Sequence, residues 1–249
     1  MLKEIKKIIL KTENQNVNAL FFIPKEVRSN KCCIFTHGYT SHKGSILTWA
    51  QKMMDLNVPT IIFDLPGHFL GSFNECSSFE VFKKETPSLF DHAYRKINEL
   101  FPESSLPITG GHSLGALLSL IHSSTKTTFN HQICVGLGSL DSDKPHLFQT
   151  PFFRETMILR SELVSPELHP DIVIPWIAEM KRTTSVEKKS IHLLAGKDDI
   201  VIGGEEGVEK IATHLEKRNS VHRHLPSKLP HHLPENAGIF IKKIVKDIG

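Results

Sequence analysis

The residues best equipped for chemistry stand at Gly111-His112-Ser113-Leu114-Gly115. An apolar stretch, Leu106-Pro107-Ile108-Thr109, leads into them, and a helix-forming run, Ala116-Leu117-Leu118-Ser119-Leu120-Ile121, follows. The pattern G-x-S-x-G at a strand-to-helix turn lifts a serine hydroxyl off the sheet edge on a sharp, strained bend. The positions two before and two after the serine must be small, and here both are glycine. The backbone N–H of Leu114 opens the helix and points where an oxyanion would form. Without that chemistry the five residues would be a glycine-rich turn with an incidental serine.

A serine hydroxyl is a poor nucleophile unless a base takes its proton and an acid orients the base. In this strand–turn–helix context both partners are expected later in the chain, acid first. The apolar run Ile191-His192-Leu193-Leu194-Ala195 ends in Gly196-Lys197-Asp198-Asp199, and His231-His232 lie beyond the last strand. Either aspartate and either histidine would sit at the carboxyl end of a strand, where open α/β sheets build their sites. A second oxyanion donor is expected after an early strand. Cys32-Cys33-Ile34-Phe35-Thr36 runs into His37-Gly38-Tyr39-Thr40, where the glycine permits a tight turn and the Tyr39 N–H can join that of Leu114. His37 reads as a structural histidine that bonds loop backbone and holds this turn.

The elements that must position these groups alternate along the chain. Strands are predicted at 5–11, 17–23, 32–36, 60–63, 107–109, 133–137, 191–195 and 221–224. The middle ones are continuous apolar runs, as strands covered on both faces should be. Thr86 and Pro87 are predicted to open a helix with Leu89, Ala93, Ile97 and Leu100 as its buried stripe, and Glu205-Glu206 to open another. The fold class is therefore α/β: a mostly parallel eight-stranded sheet with helices on both faces. Residues 141–189 hold no convincing strand and are rich in Phe, Met and Trp. They are expected to form a small helical cap inserted into a single domain, 1–249. Phe148, Phe152, Phe153, Met157 and Trp176 are its candidates to line a substrate pocket, or else to dock the cap on the sheet.

Composition narrows the partners. The 249 residues are 39% hydrophobic and 23% charged, with 15 Gly and 14 Pro, which excludes collagen-like, coiled-coil and largely disordered chains. The net charge of +3, from 30 basic and 27 acidic residues, argues against nucleic acid as a partner. No apolar run approaches the roughly 18–20 residues of a membrane span, and the N-terminal segment does not read as a signal peptide, so a cytoplasmic location is expected. The adjacent Cys32 and Cys33 would point to opposite faces of a strand, so the four cysteines do not read as a disulfide framework. His222, His224, His231 and His232 cluster in sequence, yet no Cys or acid accompanies them at a familiar ligand spacing. No metal and no cofactor are expected. Nothing in the sequence specifies an oligomeric state.

Taken in order, the strand–His37-Gly38-Tyr39 turn, Phe63-Asp64-Leu65-Pro66-Gly67-His68, the serine elbow and the acid and histidine turns resemble the α/β-hydrolase superfamily over about 32–235. The run His37-Gly38-Tyr39-Thr40-Ser41-His42-Lys43-Gly44 is similar to a loop of bacterial carboxylesterases of the feruloyl or cinnamoyl esterase kind. One departure stands out: where that superfamily usually has D-x-x-G-H-G-x-S, Phe69 replaces the second Gly and Leu70 is an extra residue before Gly71-Ser72. The resemblance implies a Ser113–His–Asp triad. It favours Asp199 over Asp198, three residues after the strand-ending Gly196, and His232 over His231, just before the start of the last helix. It implies a carboxylesterase-like enzyme acting on a small-molecule acyl ester, with thioesters open to the same machinery. The other readings are an aminopeptidase-like or acyltransferase member of that fold, or a non-catalytic ligand-binding one.

Overall fold

The strand-forming runs join into one eight-stranded sheet, whose central members are buried on both faces while the first strand, at an edge, is largely exposed. The computed structural model describes residues 2–139 and 151–249, with the backbone alone for 151–154. The strands are β1 (Leu2–Lys11), β2 (Asn16–Pro24), β3 (Lys31–Thr36), β4 (Thr60–Phe63), β5 (Leu106–His112), β6 (His131–Val135), β7 (Ser190–Leu194) and β8 (Ser220–His224). Their order across the sheet is β1-β2-β4-β3-β5-β6-β7-β8. The pairs β1–β2 and β2–β4 are antiparallel, and every later pair is parallel. The expected fold class is what the structure has.

Helices α1 (Leu47–Met54), α2 (Phe79–Glu85), α3 (Leu89–Leu100), α4 (Leu114–Ser124), α5 (Pro151–Ser161), α6 (Pro170–Thr183), α7 (Gly204–Glu216) and α8 (Gly238–Asp247) connect or flank the strands. On one face α1 and α8 bury Trp49, Met53, Ile241 and Val245 against Cys33, Phe35, Ile62 and Ile133. On the other, α3 and α4 cover Cys32, Ile34, Ile61 and Phe63, and α4 and α7 cover Cys134, Ile191 and Leu193. Cys32 and Cys33 thus face opposite layers, and all four cysteines are buried and free. Burial pushes the Cys32 and Cys134 thiols up, so they stay protonated.

Local details differ from the sequence reading. Ser78, not Thr86, supplies a side-chain cap, accepting from the Val81 N–H at the start of α2. Thr86 lies in a single 3-10 turn between α2 and α3. Leu100, the last residue of α3, is 47% exposed, so the buried stripe is Leu89, Phe90, Ala93 and Ile97. Among the described residues, no helix is long and apolar enough to cross a membrane, and no group of three or more His, Cys, Asp or Glu could hold a metal ion.

Strands β3 and β5 are neighbours, yet the chain leaves β3 toward β4 and β5 toward β6. In open α/β sheets the carboxyl ends at such a reversal are the usual binding position. Both the His37-Gly38-Tyr39 turn and Ser113 emerge there.

Candidate active site

Ser113 follows the last residue of β5 and precedes α4, with φ 50° and ψ −108°. That conformation is the left-handed-side geometry that a glycine adopts freely and a serine does not. Its backbone is held on both sides: the Ser113 N–H donates to the Val135 carbonyl at 2.8 Å, and the Leu117 N–H donates to the Ser113 carbonyl at 3.1 Å. The flanking glycines are explained by β3. A Cβ on Gly111 would stand 2.5 Å from the Thr36 carbonyl oxygen, and one on Gly115 would stand 2.6 Å from both the Thr36 and His37 carbonyl oxygens. The elbow presses against β3 too closely for any side chain.

His37 organises the facing turn. Its Nε2 accepts from the Leu65 N–H at 2.9 Å, so Nδ1 carries the proton and donates to the Gly38 carbonyl at 2.8 Å. The Ser41 N–H donates to the same carbonyl at 3.2 Å. Two donors on that oxygen fix the Gly38–Tyr39 peptide plane, and the Tyr39 N–H, trans to the oxygen, must point the other way. Among the described residues neither the Tyr39 nor the Leu114 N–H is taken up by a protein acceptor. A Cβ on Gly38 would lie 3.4 Å from Ser113 Cβ, which places the turn beside the serine. The Tyr39 hydroxyl is occupied elsewhere, donating to the Leu168 carbonyl at 2.5 Å.

Of the two aspartates, Asp199 is 1% exposed and its Oδ2 lies 2.9 Å from His231 Nδ1. Its other oxygen accepts from the Val201 N–H at 3.2 Å. The pairing leaves His231 Nε2 as an acceptor. This corrects the expected pairing with His232, which is exposed. The cause is a tight turn: the Leu233 N–H donates to the Pro230 carbonyl at 3.1 Å, so the two histidines occupy its centre and diverge. Asp198 ties the same loop down, its Oδ1 accepting from the Leu229 N–H at 2.8 Å. Downstream, α1 anchors the segment through Trp49 Nε1 to the Pro234 carbonyl, 2.7 Å, and Thr48 Oγ1 to the Glu235 carbonyl, 2.6 Å.

His112, the residue before the serine, packs its ring on His231 with centroids 4.5 Å apart. Burial, reinforced by the neighbouring His231, holds it well below the ordinary histidine range. His37 is depressed likewise by burial, and His68, buried beside His37, is pulled down to about 4. All three rings are therefore neutral in the fold. Their folded-state values lie below the unfolded value of about 6.5, so the unfolded chain binds the extra protons and stability is lost as pH falls below that point. Each contributes a slope of up to about 1.4 kcal/mol per pH unit. The melting temperature is expected to be level near pH 7.5 and to fall steeply between pH 6.5 and 5. A flat profile over that range would show that the rings carry protons in the native state.

Helices α5 and α6 and the turn between them lie against the β3 and β4 loops. The Phe69 N–H donates to the Leu163 carbonyl (2.9 Å) and the Ser165 N–H to the Gly67 carbonyl (2.8 Å). Trp176 packs edge-on against Phe79 and Phe82, with centroids at 5.6 and 6.4 Å, so it docks α6 on α2. Met157 is half-buried on α5. Phe148 lies outside the described residues, as do the side chains of Phe152 and Phe153. Two cations of this segment had no signature in the sequence. Arg160 donates to Thr40 Oγ1 at 2.5 Å, and Lys181 donates to the Gly138 carbonyl at 2.8 Å. Burial draws Lys181 down to about 8, partly offset by Asp199.

Sheet order, crossovers and the serine elbow together define the α/β-hydrolase fold, and this chain has it. It is similar over nearly its whole length to solved structures of that fold. A highly thermostable carboxyl esterase from Bacillus coagulans matches with a TM-score of 0.69 and 14% identity, covering 99% of this chain and 99% of that chain. An esterase of Pyrococcus furiosus gives 0.64 and 16%, covering 98% and 92%. The thioesterase domain from the curacin biosynthetic pathway gives 0.64 and 14%, covering 98% and 100%. No protein-family model and no curated protein sequence matches the chain.

Proposed function

We propose that this protein is a serine hydrolase that cleaves a small-molecule carboxylic ester through an acyl-enzyme. Ser113 Oγ attacks the carbonyl carbon as His231 Nε2 takes its proton. Asp199 holds the imidazole in the required tautomer and stabilises the imidazolium that forms. The Tyr39 and Leu114 N–H groups receive the tetrahedral oxyanion. The intermediate collapses with loss of the alcohol, which takes the proton from His231. Water, deprotonated by the same histidine, then releases the acid and restores Ser113. The observation that carries this reading is the Asp199–His231 pair at the strand ends where Ser113 is held on its strained bend. The similar structures named as esterases and a thioesterase support the ester class, and a thioester would follow the same steps.

In the same reading the chain is one domain, and its segment at about 141–189 is a cap, with Phe148, Phe152, Phe153 and Met157 the candidates to line the acyl site. Trp176 is assigned to docking instead. The test is a fluorophosphonate probe on the purified chain. One equivalent of label is expected on Ser113, blocked by heat unfolding. An unlabelled serine in a folded sample would reject a catalytic role and leave a binding protein.

A further inference from the structure

Building on the hydrolase reading, we propose that Arg160 forms an anion subsite, so that the substrate is an ester carrying an acid group within a few bonds of its scissile carbonyl. The guanidinium donates to Thr40 Oγ1 at 2.5 Å, and Thr40 in turn donates to the Tyr39 carbonyl at 2.7 Å. Thr40 is itself in the left-handed region, at φ 59°. The guanidinium is thus bonded to the residue that follows Tyr39, whose N–H is assigned to the oxyanion.

Among the described residues no carboxylate pairs with Arg160, which is half-buried. Asp171, whose charge also reaches Tyr39, has a side chain that is 90% exposed and lies 3.4 Å from His169. The Tyr39 hydroxyl is committed to the Leu168 carbonyl. Arginine offers five N–H donors in a planar fork, and Thr40 takes one. A partly desolvated guanidinium without a counter-ion is unfavourable, and the remaining edge of the fork matches a carboxylate or a phosphate in two-point contact. Substrate charge supplies what the described residues leave out.

The experiment compares kcat/KM within two ester pairs. In one, the acid is on the acyl side: a monoaryl glutarate against the aryl pentanoate. In the other it is on the alcohol side: 4-butyryloxybenzoate against phenyl butyrate. The wild-type chain is expected to favour the acidic ester by about tenfold or more in at least one pair, the range of a charged hydrogen bond. Arg160→Gln is expected to erase that ratio, and Arg160→Lys to keep part of it. An unchanged ratio in Arg160→Gln, a wild-type preference for the neutral ester in both pairs, or an equal loss on both esters would overturn the proposal. The last result would make Arg160 a strut between α5 and the β3 loop. Calorimetric binding of glutarate against butyrate to the wild-type chain reads the subsite without any variant. Turnover of neutral esters without acid preference, and no tighter binding of glutarate, sinks the subsite alone. Absence of all turnover with Arg160-dependent glutarate binding sinks the hydrolase reading and leaves the subsite standing.

Discussion

Ser113→Ala is expected to lower kcat on an activated aryl ester by about 10⁴–10⁶-fold, because loss of the nucleophile leaves only binding and the oxyanion hole. The fold should be retained. Alanine meets the same φ of 50° that serine already tolerates, and it fills no new space beside Gly38. Circular dichroism and melting temperature close to wild type would establish that the loss is chemical. Residual activity above a tenth of wild type would remove Ser113 from the nucleophile's role.

His231→Ala should be nearly as severe, about 10⁴-fold or more in kcat, since a triad acts as a unit. His232→Ala should stay within a few-fold of wild type. The distinction rests on the 2.9 Å contact of His231 Nδ1 with Asp199, against an exposed His232. The reverse pattern would mean that the loop rearranges when substrate binds, bringing the second imidazole inward. Steady-state kinetics on the two purified variants decide the matter.

Those neighbouring histidines mark the boundary of what could be read without a structure. The buried strands were legible because runs such as Cys32-Cys33-Ile34-Phe35-Thr36 are apolar on both sides of the pleat, which only a doubly covered strand requires. The elbow was legible because close approach to β3 admits glycine alone at 111 and 115. The histidine register was not, since it turns on a hydrogen bond from Leu233 to Pro230 and a tether from Asp198 to Leu229. Neither leaves a mark in residue type. Trp176 shows the same limit. Its composition suits a pocket wall and a packing contact equally, and only Phe79 and Phe82, about a hundred residues earlier in the chain, decide between them. Arg160 is a surface-like arginine until Thr40 appears beside it.

The geometry of residue 113 sets the interests of folding and of reaction against each other. A non-glycine residue in that region costs about 1–3 kcal/mol, and glycine would relieve it. Selection of variants for heat resistance alone would therefore tend to enrich glycine at 113, yielding a sturdier protein with no hydroxyl to offer. Screens that raise thermal tolerance in this chain need a simultaneous requirement for turnover, and stabilising changes are better sought in α1, α8 and the outer strands. The same tension gives an alignment-free criterion for related folds. A serine kept where the backbone would prefer glycine is retained for its side chain.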